Sequence, residues 1–185
     1  MFLMIEIRWH GRGGQGAVTS VETLALAAIG EGQYAQGFPS FGPERRGAPV
    51  AAFNRIDDKK IRIRSGIYTP DVVIVLDASL MSLVNVAEGL KPGGTLIVNT
   101  TKSPEEVKKQ TGFEGTVATV DAMTIAREEM GVPITNTTMI GAAVKATGLV
   151  KVESVKEPLK KRFGRIAQKN INAMERAYKE LKIAN

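Results

Sequence analysis

The chain has 185 residues, 43% of them apolar and 24% charged, with 25 basic and 19 acidic side chains and a net charge of +6. That size suits a single domain that buries a core without staples. It contains no cysteine and one histidine, which excludes disulfides, a cysteine nucleophile and thiolate-held clusters, and argues against a nitrogen/sulfur zinc site. No apolar run approaches a membrane span and no secretory leader is recognisable, so a cytoplasmic location without membrane contact is expected.

Residues 5–10 alternate Ile5, Ile7, Trp9 and predict a first strand. The stretch HGRGGQG (10–16) follows, and within it stands Gly11-x-Gly13-x-x-Gly16, the spacing of a dinucleotide-binding loop. Residues 17–29 carry Val18, Val21, Ala25 and Ala28 at helical intervals, and Gly30 and Gly32 end that helix. A short second strand is expected over 34–38. Residues 38–49 hold three prolines and predict a long loop, GPERRGAPV included. Residues 50–56 and 61–65 flank Asp57, Asp58, Lys59 and Lys60, which predicts a hairpin with an open arginine face.

Residues 71–77 give the strongest strand, five successive apolar residues suited to a buried parallel position. A helix is expected over 79–90, a turn over 91–94 and a strand over 95–99. Ser103, Pro104 and Glu106 form the signature of a capped helix start. A strand over 116–120, a helix over 121–130 ended by Gly131 and an alanine-rich helix over 138–147 come next. Helices over 154–162 and 166–182 close the chain, with Ile166, Ile171, Met174, Tyr178 and Leu181 on one side of the last. The pattern predicts a single α/β domain over 1–185: a Rossmann-like, mostly parallel sheet flanked by helices, with an inserted antiparallel hairpin at about 50–65.

Charge is unevenly spread: nine bases to six acids over 1–69, five to nine over 70–130, eleven to four over 131–185. A basic surplus attracts phosphorylated ligands, acidic proteins or nucleic acid. Nucleic acid is disfavoured by an aromatic content of 5% and by the lack of a recognition motif.

Three readings of the glycine loop stand: a dinucleotide site, an anion site, or a structural or interface turn. A dinucleotide site wants an acid some twenty residues on, and 33–38 has none. Arg45 and Arg46, on a proline-stiffened loop with Glu44, suit forked recognition of carboxylate or phosphate, unless Glu44 merely pairs with one of them. His10 lacks a recognisable orienting acid and reads as a hydrogen-bonding residue. Asp77, ending the buried strand, either caps the next helix or faces a ligand. No catalytic and no metal-binding residue is assigned.

Together HGRGGQG, GPERRGAPV, the Phe53–Asp57 and Ile61–Arg64 stretches, the strand ending at Asp77 and the NTTMIG run from Asn136 resemble the gamma subunits of 2-oxoacid:ferredoxin oxidoreductases, nearest the pyruvate-using members and those shared with a 2-oxoisovalerate enzyme. The resemblance spans the chain. It implies a supporting subunit in coenzyme A-dependent oxidative decarboxylation of a 2-oxoacid, with electrons passed to ferredoxin. Thiamine diphosphate with magnesium would belong to alpha and beta subunits, and iron–sulfur clusters to beta and delta. The expected contact surfaces, for coenzyme A or partner subunits, are Gly11, Arg12, Gly13, Gly14, Gln15 and Gly16, and Glu44, Arg45 and Arg46. The competing reading from another class is a stand-alone dinucleotide-binding reductase.

Overall fold

The computed structural model describes residues 4–40 and 46–185. Its strands are β1 (Ile5–Arg12), β2 (Tyr34–Pro39), β3 (Pro49–Asp57), β4 (Val72–Val75), β5 (Thr95–Asn99), β6 (Thr116–Val120) and β7 (Lys182–Ala184). They form one sheet in the order β2-β3-β1-β4-β5-β6-β7. The four strands β1, β4, β5 and β6 are parallel, while β3, β2 and β7 join antiparallel at the two margins. This is the expected α/β sheet with a parallel centre.

The helices are α1 (Ala17–Gly30), α2 (Pro104–Thr111), α3 (Ala122–Met130), α4 (Asn136–Thr147), α5 (Val152–Phe163) and α6 (Ala167–Glu180). Alternate residues of the central strands supply two cores, because successive side chains leave a strand on opposite faces. Ile7, Trp9, Ile74 and Ile97 pack with α1, α4, α5 and α6. Val73, Val75, Leu96, Val98 and Val117 pack with Leu80, Val86, Leu90 and Val107. All four residues of β4 are buried, which is why it reads as an unbroken apolar run. Each such side chain contributes roughly 1.5–3 kcal/mol by leaving water.

Small residues set the spacing of α4 and α6. A Cβ on Gly141 would run into the backbone carbonyl of Met174, so the two helix backbones lie in near contact. α2 begins with the expected reciprocal cap: Ser103 accepts from the Glu106 N–H while the Glu106 carboxylate accepts from the Ser103 N–H.

Three expectations are corrected. The antiparallel hairpin is β2–β3, not 50–56 with 61–65: β1 and β2 occupy both edges of β3, so residues 61–65 cannot pair with it. The expected helix over 79–90 is a short 3-10 helix, Ala78–Ser82, followed by irregular chain. There the Arg8 guanidinium takes the carbonyls of Val86 and Glu88, oxygens a helix would use internally, and Gly89 sits at φ +70 against the Tyr68 carbonyl. Val86 and Leu90 are nevertheless buried, so the apolar spacing serves a loop rather than a helix. Finally, Ile166 is 56% exposed beside the start of α6 instead of lining its apolar side, and β7 was not foreseen.

Candidate functional site

The loop after β1 lies where two connections part. The chain leaving β1 enters α1 on one face of the sheet, and the chain leaving β4 crosses to the other face. Between the carboxyl ends of β1 and β4 is therefore the topological switch point, the place where open α/β sheets hold ligands.

In this protein that crevice is spanned by protein groups. Arg12 Nε donates to Asp77 Oδ2 at 3.1 Å, Nη2 to the Ser79 hydroxyl at 2.7 Å and Nη1 to the Gly47 carbonyl at 3.1 Å. Gln15 binds the same carboxylate through Nε2 at 2.9 Å, and its own Oε1 accepts from the Arg12 backbone N–H at 2.7 Å. Asp77 also accepts from the Ser79 N–H and hydroxyl, at 3.0 and 2.6 Å. Burial alone would raise the Asp77 pKa. The bonds from Ser79, Gln15 and Arg12 outweigh it and hold the carboxyl below its ordinary range. Of the two sequence readings of Asp77, the capping one is seen: Oδ1 caps the 3-10 helix, while Oδ2 accepts from Arg12 and Gln15.

The glycines admit protein atoms. A Cβ on Gly11 would lie 3.2 Å from Leu76, and one on Gly16, at φ +81, would collide with the side chain of Asn136. Gly13 and the Arg46 loop are zipped together: the Gly13 N–H donates to Ala48 O at 2.9 Å and the Gly47 N–H to Gly13 O at 3.0 Å. The glycine loop and the 46–48 segment thus share one rim, with Arg46 exposed on it. Glu44 and Arg45 lie outside the described residues.

A dinucleotide site would also need a parallel strand beside β1, ending in an acid for the ribose. The neighbour on that side is β3, antiparallel, and Arg12 pairs with its first residue, Pro49. The incoming 46–49 segment stands where the ribose contact would form.

His10 accepts a hydrogen bond at Nε2 from Arg8 Nε, at 3.0 Å. Burial, then the nearby Arg8 charge, lowers its pKa from 6.5 to about 4, so it is neutral at pH 7 with its basic nitrogen engaged. Asn136, Ser79 and Gly47 were not singled out from sequence. Asn136 appears there only within the NTTMIG run, and nothing local in that run announces a glycine partner 120 positions away. Among the described residues no group of His, Asp and Glu side chains is placed to hold a metal ion. No helix among them is long and apolar enough to cross a membrane.

The family model for pyruvate ferredoxin/flavodoxin oxidoreductase matches residues 6–180, so the chain belongs to that family, as a gamma-type subunit of an oxidoreductase complex. The "pyruvate/ketoisovalerate oxidoreductases common subunit gamma" of Thermococcus kodakarensis is 60% identical to it, over 95% of this chain and 96% of that protein. The "pyruvate synthase subunit PorC" of Methanocaldococcus jannaschii is 52% identical, over 96% and 97%. The crystal structure of the pyruvate oxidoreductase subunit PORC of Thermotoga maritima superposes with a TM-score of 0.89 at 43% identity, covering 98% of this chain and 99% of that one.

Proposed function

We propose that this chain works as the non-catalytic gamma subunit of a pyruvate:ferredoxin oxidoreductase that makes acetyl-CoA from pyruvate and coenzyme A and passes electrons to ferredoxin. The observation that carries this reading is the Arg12–Asp77–Gln15 closure of the switch-point crevice. The cation that would greet a cofactor phosphate is committed to a carboxylate of the same chain. With His10 neutral and bonded to Arg8, the loop offers neither a base nor a redox-cofactor cradle. A chain without cysteine supplies no thiolate for clusters. In this reading, as the family resemblance implies, thiamine diphosphate with magnesium belongs to alpha and beta subunits and the iron–sulfur clusters to beta and delta.

The contact residues in this reading are Gly11–Gly16 together with Glu44, Arg45 and Arg46, and they meet a partner subunit or the phosphates of coenzyme A. The relatives named as a common subunit favour a second substrate assignment, in which one gamma chain also serves a 2-oxoisovalerate enzyme.

The test is reconstitution with partner subunits produced together with this chain. Wild type is expected to join cluster-bearing subunits and to show no turnover alone. Arg45→Ala with Arg46→Ala is expected to weaken either assembly or the affinity of the assembled enzyme for coenzyme A. Stoichiometric, tight binding of a nicotinamide or flavin cofactor by the isolated chain would overturn the reading. Unchanged assembly together with unchanged coenzyme A affinity would remove the arginine loop from it.

A further inference from the structure

Residues 59–64, Lys-Lys-Ile-Arg-Ile-Arg, have the composition of a strand without the pairing of one. Alternation of Ile61 and Ile63 with Arg62 and Arg64 puts the apolar residues on one side of an extended chain and the cations on the other. Yet residues 60–64 belong to no strand and make no backbone hydrogen bond to any described residue. Lys59, Lys60, Arg62 and Arg64 are four cations in six residues, with no acid from 59 to 70. None of the four forms an ion pair with a described residue. Ile63 is 45% exposed and Tyr68 79% exposed.

The segment is held in place from beneath. Arg55 is 1% exposed, paired with Glu6 at 2.8 Å, and donates to the Gly66 carbonyl at 3.2 Å. Ahead of that pin, Arg64 and the Gln36–Phe38 part of β2 line a cavity of about 270 Å³. β2 is the outermost strand, with β3 on one side and no strand on the other.

We propose that residues 59–64 are the docking strand for an acidic, extended segment of a partner subunit, which pairs with this backbone and sets its carboxylates against the four cations. The proposal rests on the subunit reading above. Charge selects the occupant: an unpaired cationic strand repels a second copy of itself, and its arginines fit carboxylates bidentately. Strand addition supplies the missing backbone partners, and the isoleucine face gains a cover.

The experiment is amide hydrogen exchange on the isolated chain and on the complex reconstituted with its partner subunits, together with R62E/R64E. Both arginines are exposed, so the isolated variant is expected to keep the wild-type melting curve and far-ultraviolet spectrum. In wild type the amides of residues 61–64 are expected to exchange freely in the isolated chain and to slow by about tenfold or more in the complex. The variant is expected to join the complex about tenfold more weakly, and added salt should weaken wild type more than R62A/R64A. If wild type assembles while these amides stay unprotected and the variant joins equally well, the docking strand is refuted and the subunit reading stands. If the amides are already protected in the isolated chain as its concentration rises, the occupant is a second copy and the proposal is wrong. If wild type joins no partner, both readings fall.

Discussion

Gly16→Ala is the sharpest probe of the loop, because two separable costs meet at one methyl group. Gly16 sits at φ +81, where an L side chain costs about 1–2 kcal/mol. The new Cβ also meets Asn136, whose Cγ and Cβ would lie 3.1 and 3.2 Å away, with Nδ2 closer still. Asn136 is buried at the start of α4, and its Oδ1 accepts from the Thr137 N–H, so it cannot swing clear without giving up that bond. Overpacking of this kind costs about 1–3 kcal/mol. The sum is about 2–5 kcal/mol, or a fall in Tm of roughly 4–20 °C for a chain of this length. Urea denaturation of the isolated chain measures it. The double variant with Asn136→Ala relieves the collision but not the dihedral strain, so it should be less destabilised than the sum of the singles by about 1–2 kcal/mol. A loss below about 1 kcal/mol for Gly16→Ala, or additivity within about 0.5 kcal/mol, would refute the contact as the reason for the glycine.

Two further perturbations test the neighbourhood. His10 has a folded pKa of about 4 against 6.5 unfolded, so between those values the unfolded chain binds the extra proton. Its stabilising contribution is complete above about pH 6.5 and falls as the pH drops towards 4, by on the order of 3 kcal/mol. His10→Gln should flatten that window in denaturant titrations from pH 4 to 7, and an imidazole resonance titrating near 6.5 would show the burial argument to be wrong. Arg55→Ala removes one member of a buried ion pair and leaves Glu6, 17% exposed, without its cation, at a cost of about 3–5 kcal/mol. Arg55→Met with Glu6→Gln should recover much of that in the same urea assay; a single variant as stable as wild type would rule out the pin beneath residues 59–64.

What the sequence discloses depends on how local the physics is. The Ser103 cap, the buried β4 run and the strand–loop–helix opening each rest on residues within one turn or one strand of each other, and each is found as expected. Residues 79–90 misled because Val86 and Leu90 are buried at helix-like intervals, while the carbonyls of Val86 and Glu88 are taken by Arg8, 78 and 80 positions away. Residues 61–65 misled in the opposite sense. Their alternation is that of a strand, but both edges of β3, the partner it was expected to pair with, are taken by β1 and β2. The position of the site was legible, and Asp77 could be flagged. Its bond to Arg12 was not, because only the parallel pairing of β1 with β4 brings positions 65 apart together.

The glycine spacing itself admits a physical account that needs no nucleotide. A dinucleotide loop uses glycines so that a pyrophosphate and a neighbouring helix can approach the backbone closely. Here the same closeness is demanded by protein atoms: Leu76 at Gly11, Asn136 at Gly16, and the 47–48 backbone along Gly13. Arg12 then supplies towards Asp77 the charge that such a loop would direct at phosphate. A phosphate seated in the crevice would have to displace a carboxylate already held by Arg12, Gln15 and Ser79. A ligand or subunit meeting the outer rim displaces none of these bonds. That difference is the reason the contact surface proposed above is the rim, on the side of the exposed Arg46, with the crevice holding the rim's shape.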